Sequence, residues 1–456
     1  MFWLSIGTWS VKLQNALPRV IAILVALILG ATTGESAVQA RTASDHAATM
    51  PAPQPHETYS VQYTIEVDAA APARARVRWQ LAGIDELERI RFRFDPSRFE
   101  NFGGSGIVER RRDEILWTPN GPYAELHYTA RLDRRRASNK GYDSYAGDGW
   151  ILSRTSAFFP RSAALFRRDV EASPESRARL AFLLPAGWDS VTIFPREDLH
   201  RYVVETPHQR LDHPRGWLLI GHMQRTDIRI ADTALTIARV PGVTRQVAPI
   251  THFMTQALPL VTALFDRPLP RLLIVIGKDP MWRGGLSGEE SFYIHDRRPL
   301  RTRDQTSPYL HELFHVAAPF RPHADAHWVT EGLAEYYSIE LQRRMGRLSD
   351  TRFRRALELF EKHGLWHRDF TRTAASALRN NSAPLVMYVL DQRIRAATDG
   401  QRGLDAVVAT LARDGGTVST ARFLGTLERV AGKSFSGFFR RHVYRGEPPA
   451  IASFAR

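Results

Sequence analysis

His311-Glu312-Leu313-Phe314-His315 sets two imidazoles four residues apart with a carboxylate between them. Residues i and i+4 share one face of a helix, so both rings can reach a single ion. Ser307 followed by Pro308 is a good helix start, which puts the pair in the first turns. Glu312 can contact a water at the ion without ligating the ion itself, and that geometry suits a general base for attack on a carbonyl. The same five residues also suit an ordinary amphipathic helix carrying two partly buried histidines. Downstream, Trp328-Val329-Thr330-Glu331-Gly332-Leu333-Ala334-Glu335-Tyr336-Tyr337 reads as a second helix with Thr330 near its start. Glu331 offers a hard oxygen donor that, with the two imidazoles, would leave the fourth tetrahedral position of a zinc ion to water. Its other reading is a carboxylate interacting with the helix macrodipole. Glu335, one turn later, would either accept a hydrogen bond from a ligand histidine and fix its tautomer, or face solvent.

Other third ligands fit less well. A Gly three and a His six residues after the second histidine would complete a different set, but those positions hold Ala318 and Arg321. His323, Asp325 and His327 fall in the connecting loop and lack a helical frame. The chain has no cysteine, which excludes disulfides, thiolate metal sites and cysteine nucleophiles.

The elements that must hold these residues divide at Pro241. Before it, Tyr59–Val67 alternates apolar and polar residues as a strand, with Ala75–Leu81 as a partner. Further strand-like runs are Ile90–Phe94, Ala124–Leu132, Arg179–Leu184, Trp217–Gly221 and Leu235–Val240. Turn residues separate them at intervals suited to an all-β domain over residues 57–240. After it, Val247–Leu264 is apolar at helical spacing, Leu272–Ile276 reads as a buried strand, and Phe292–Ile294 as a short strand at a sheet edge. Nearly everything from Ser307 to Tyr444 reads as helix. The expected class is α+β: an N-terminal β-sandwich or saddle-like domain, then a mixed and mainly helical catalytic domain over residues 241–456.

At 456 residues the chain is long enough for two or three cores, and with 43% hydrophobic and 24% charged residues it reads as folded. The net charge of +14 is spread along the length in short arginine runs (Arg110–Arg112, Arg134–Arg136, Arg440–Arg441). That distribution suits a solvated basic surface, with weak attraction to an anionic membrane or cell-wall polymer, and no nucleic-acid motif accompanies it. Residues 1–40 read as an export signal: Lys12 and Arg19 flank an apolar run, Val20–Leu29, and Val38-Gln39-Ala40 is a cleavage site. Ten apolar residues are short for a bilayer span, so a periplasmic or secreted location is preferred to an inner-membrane anchor. Residues 41–56, with Pro51, Pro53 and Pro55 alternating, read as a linker.

The pairing of His-Glu-x-x-His at 311–315 with Trp-x-x-Glu-Gly-x-x-x-Tyr at 328–336 resembles the gluzincin peptidases, specifically the related alanyl/leucyl and glycyl aminopeptidase families. Gly284-Gly285-Leu286 resembles their substrate-binding segment, residues 383–391 a helix downstream of the site, and residues 431–439 the closing helix of the glycyl group. The glycyl group is the closer match, without the PDZ-like domain of some of its members. The similarity is good over roughly residues 270–445 and weaker over 57–240. The resemblance implies a thermolysin-like catalytic domain, one zinc per chain, a peptide or protein substrate, and a peptidase mechanism with Glu312 as base.

Two positions depart from that pattern. Ser287 stands where a glutamate binds the substrate's free amine, with Glu289 and Glu290 as nearby substitutes. Asn380 and Asn381 stand where the transition-state tyrosine is expected, and Tyr388 suits packing better than catalysis. The expected activity is therefore zinc-dependent peptide hydrolysis with altered amine recognition. The second reading is a zinc-containing binding or scaffolding protein of the same fold with little turnover.

Overall fold

The computed structural model describes residues 58–84, 87–138, 140–167, 175–204, 213–363, 369–372 and 383–449. The expected export signal, the linker, Asn380 and Asn381 lie outside these residues.

Alternation in the first strands becomes a sheet with one buried face. Arg74–Ala82 buries Ala75, Val77, Trp79 and Leu81 and exposes the residues between them. It pairs antiparallel with Thr58–Val67 on one side and Tyr123–Arg131 on the other. Thr58–Val67 pairs in parallel with Glu175–Leu183, and the whole sheet has seven strands. A four-stranded sheet supplies Phe92, whose ring meets Trp79 edge-on at 5.0 Å, while Tyr63 meets the same indole at 4.8 Å. The Trp79 indole N–H donates to the Tyr128 hydroxyl, which donates in turn to the Phe158 carbonyl, so these two buried polar tips are satisfied.

A five-stranded sheet carries the β region toward the site. In it Trp150–Arg154 pairs antiparallel with Trp217–Gly221, setting Arg154 opposite Trp217. Next comes a mixed sheet in the order Gln224–Ile230, Thr233–Arg239, Arg271–Gly277, Ser291–His295, Gly285–Gly288. Its central strand Arg271–Gly277 runs parallel to both neighbours, and Leu272–Ile276 is buried throughout, as a strand covered on both faces requires. The first two strands precede Pro241 and the rest follow it, so one sheet crosses that position. Ser291–His295 is an inner strand, not the edge expected for Phe292–Ile294. The edge is Gly285–Gly288, antiparallel to it, whose two glycines in four residues hide the strand pattern.

The longer helices are α1 (Val247–Phe265), α2 (Pro308–Ala317), α3 (His327–Arg344), α4 (Asp350–His363), α5 (Ala383–Ala397), α6 (Leu404–Asp414) and α7 (Thr420–Ala431), and short helical turns follow at Ser436–Phe438 and Phe439–Val443. α1 is as long and apolar as a membrane span, yet Ile250, Phe253, Met254, Leu258 and Val261 pack it into the core. α3 is buried nearly all round, which makes it the central helix. Gly332 permits that: a Cβ there would lie 3.0 Å from the Ala383 Cβ of α5 and 3.1 Å from Met387. At the start of α3 the Trp328 indole donates to the Thr420 hydroxyl and sits among Phe370, Phe423 and Phe439, tying α3 to the C-terminal helices.

Candidate metal centre

α2 starts as its sequence predicts. Ser307 caps it, its hydroxyl accepting from the Leu310 amide at 3.3 Å, and Pro308 occupies the first turn. The face carrying Tyr309, Leu310, Leu313 and Phe314 is buried, and Phe314 stacks on Tyr337 of α3 with centroids 5.6 Å apart. That contact presses α2 against α3 and turns His311 and His315 toward Glu331.

The donor atoms converge. One atom each from His311, His315 and Glu331 lies within 4.8 Å of the others. The two Nε2 atoms are 3.2 Å apart, and the Glu331 carboxylate oxygens stand 3.5 Å from His311 Nε2 and 3.6 Å from His315 Nε2. Glu335 reaches Nδ1 of His311 at 2.8 Å, so in the neutral ring the proton sits on Nδ1 and Nε2 is left to ligate an ion. Burial pushes the His311 pKa down, but the facing carboxylates of Glu331 and Glu335 outweigh it and raise the pKa well above its ordinary value. Two imidazoles and one carboxylate on rigid helices, with a further carboxylate orienting one ring, form a donor set that fits zinc.

Glu312 lies between the two histidines in α2 and is 8% exposed. Its carboxylate lies against the edge strand: a Cβ on Gly285 would be 2.7 Å from Glu312 Oε1 and 3.0 Å from Cδ. The Gly284-Gly285-Leu286 segment therefore borders Glu312 directly. Leu286 continues the contact outward, its carbonyl accepting from the Trp217 indole at 2.8 Å.

Other candidates sit apart from the ion site. His323 pairs with Asp325, and Asp325 accepts from the Thr420 amide at the start of α7. His327 opens α3 outside the convergent set. Tyr388 packs on Phe353 at 6.0 Å. Glu289 pairs with Arg215 at 3.2 Å and Glu290 with Arg271 at 3.1 Å, so the two carboxylates near Ser287 are held by arginines.

No family model matches the chain, and no curated protein matches it. Solved structures do. An aminopeptidase N family protein from Idiomarina loihiensis superposes with a TM-score of 0.67 at 14% identity, covering 86% of this chain and 77% of that one. An M1 zinc metallopeptidase from Deinococcus radiodurans gives 0.55 at 15% identity, covering 88% and 96%. A mutant of that enzyme bound to a Tyr-Ser-Ala substrate gives 0.55 at 16%, covering 86% and 95%. The chain has the M1 metallopeptidase fold. Within that fold, sequence reasoning passed over Arg154 and Trp217, which come from the β region to the edge strand beside Glu312. The only sequence signal was the apolar strand Trp217–Gly221, whose partner in space no local pattern reveals.

Proposed function

We propose that this protein is a zinc-dependent peptidase that hydrolyses peptide bonds and reads its substrate's N-terminus differently from aminopeptidases of this fold. The observation that carries the reading is the convergence of His311, His315 and Glu331 with the Glu312 carboxylate held against a Gly-rich edge strand. Similarity of fold to zinc peptidases supports it. The altered reading is supported by Ser287 in the edge strand and by the arginine partners of Glu289 and Glu290.

Zinc, bound by His311, His315 and Glu331, would supply Lewis acidity, polarising the scissile carbonyl and making water acidic enough to lose a proton near neutral pH. Glu312 removes that proton as the water oxygen bonds to the carbonyl carbon. It then returns the proton to the leaving nitrogen as the C–N bond breaks, so the products are a carboxylate and an amine. Gly285–Gly288, the last strand of its sheet, offers its outer edge to an extended peptide, and the absence of side chains at Gly285 and Gly288 lets Glu312 and Trp217 lie close against that strand. Glu335 holds His311 in the tautomer the ion requires. Residues 1–40 carry an export pattern, and we propose action outside the cytoplasm.

The test is digestion of a mixed peptide library by zinc-loaded protein, read by mass spectrometry. Cleavage that stops with chelator and returns with zinc is expected, and Glu312→Gln is expected to lower it on the order of 1,000-fold while keeping the metal. Undiminished cleavage by Glu312→Gln would overturn the mechanism. Stoichiometric zinc without cleavage of any peptide would instead mark a binding protein.

A further inference from the structure

The cleft beside the metal centre has a volume of about 1290 Å³, and its wall includes Arg154, Ser287, Glu289 and His315. The charge in that wall is mostly positive: Arg154, Arg161, Arg215, Arg267 and Arg321 face only Glu289 and Glu290. Both glutamates are already paired with arginines. An ammonium group entering this cleft therefore meets no uncommitted carboxylate in its wall.

Arg154 differs from the other cations. Its guanidinium carbon lies over the Trp217 ring at 5.0 Å, and among the described residues the guanidinium makes no hydrogen bond or ion pair. Its Nε is buried without a partner. A guanidinium N–H buried without an acceptor is costly, since it loses water and gains no charge-assisted hydrogen bond. Its place is fixed by a chain of contacts running to the catalytic base. Arg154 pairs with Trp217 across the sheet, the Trp217 indole donates to the Leu286 carbonyl, and the neighbouring Gly285 touches Glu312. Burial pulls the Arg154 pKa below its ordinary value, while the charges of Asp143 and Glu312 work against that fall, so Arg154 lies within the electrostatic reach of Glu312 and stays charged.

We propose that Arg154 binds a carboxylate of the peptide substrate, and that the enzyme selects peptides presenting that carboxylate close to the scissile bond. A planar guanidinium with free N–H groups matches a carboxylate in a two-point hydrogen bond, and the Trp217 face beneath holds it in orientation. The carboxylate is either the peptide's own C-terminus or the side chain of an aspartate or glutamate. The inference rests on the peptidase reading, since it names the substrate class for that site.

Matched pentapeptides separate the sources: one with a free C-terminus against its amide, and a C-terminally amidated set carrying Asp against Asn at each position in turn. Each is assayed for kcat/KM with wild type, Arg154→Gln and Arg154→Lys. Each is also titrated against zinc-loaded Glu312→Gln, with and without Arg154→Gln, by calorimetry. The wild type is expected to favour one carboxylate form at least 10-fold, mainly through KM. Arg154→Gln should lower kcat/KM for that form at least 10-fold more than for its neutral counterpart, and Arg154→Lys should retain part of the preference. Loss of preference on amidation identifies the C-terminal carboxylate, and loss on Asp→Asn at one position identifies a side chain. Equal treatment of charged and neutral peptides by the wild type overturns the proposal. So does a fall in kcat that is the same for both forms in Arg154→Gln, which would place the guanidinium at the transition state. If no peptide is cleaved, the hydrolytic reading fails on its own and the titrations still decide Arg154: carboxylate-selective binding lost in Arg154→Gln supports it, and its absence refutes it.

Discussion

A methyl group added at Gly285 would come within 2.7 Å of Glu312 Oε1 and 2.8 Å of Cγ, so Glu312 and the edge strand cannot both keep their places. Gly285→Ala is predicted to cut peptide hydrolysis by roughly 100-fold, the lower end of what a general base contributes, while zinc content stays unchanged. Activity and metal analysis on the same preparation check this. Glu335 would act on a bound metal through His311, and removing such a partner typically weakens metal binding by about 10- to 100-fold. Glu335→Gln is predicted to fall in that range in a competition titration against a zinc chelator. That His311 and His315 lie together was legible because helical spacing is local: four residues along a helix return to the same face, whereas Glu331 comes from another helix and was read from its motif. Arg154 was not legible. It sits 158 positions before Glu312 in the chain, and only strand pairing through Trp217 brings the two together.

At the scale of elements, the site depends on α2 and α3 keeping their relative position. α2 relies on the Ser307 cap, and Ser307→Ala is predicted to cost about 1 kcal/mol of stability in denaturant melts. α3 is fixed at its far end by Arg344, whose guanidinium makes two hydrogen bonds of 2.7 and 2.9 Å to Asp405 of α6. Tyr337 donates to the same carboxylate at 2.7 Å. Burial pushes the Asp405 pKa up, but these donors more than offset it, so the folded pKa lies below the ordinary 3.8. A carboxylate depressed in this way contributes its full stabilisation above the unfolded value of roughly 4, and that stabilisation is lost as the pH falls through the lower folded pKa. Asp405→Asn is therefore predicted to lower stability by about 1–2 kcal/mol at pH 7, with the difference from wild type shrinking below pH 4. Urea melts at both pH values test it. The capped helix start at Ser307 could be read from sequence because caps have residue signatures. The edge strand Gly285–Gly288 could not: glycine carries no alternation, and the apolar residues at 292–294 look like an edge until the extra strand is seen beyond them.

For the whole molecule, the β-rich first part and helical second part follow from the change in hydrophobic period after Pro241, and the described elements keep that order. What period alone does not show is the sheet running from Gln224 to His295, because parallel pairing joins strands far apart in sequence. That sheet and the α2–α3 pair together frame the candidate metal centre, so binding of an ion there should register as stability of the folded chain. A ligand that binds only the native state stabilises it by about 2.7 kcal/mol at a free concentration 100 times its dissociation constant. The most direct measurement is zinc content of the folded protein by elemental analysis, taken on wild type, Glu312→Gln, His315→Ala and Glu331→Ala after equal exposure to zinc. One zinc per chain in the first two, and loss of that zinc in both ligand variants, is the predicted result. A wild type without stoichiometric zinc, or ligand variants that hold it as tightly as wild type, would contradict the account.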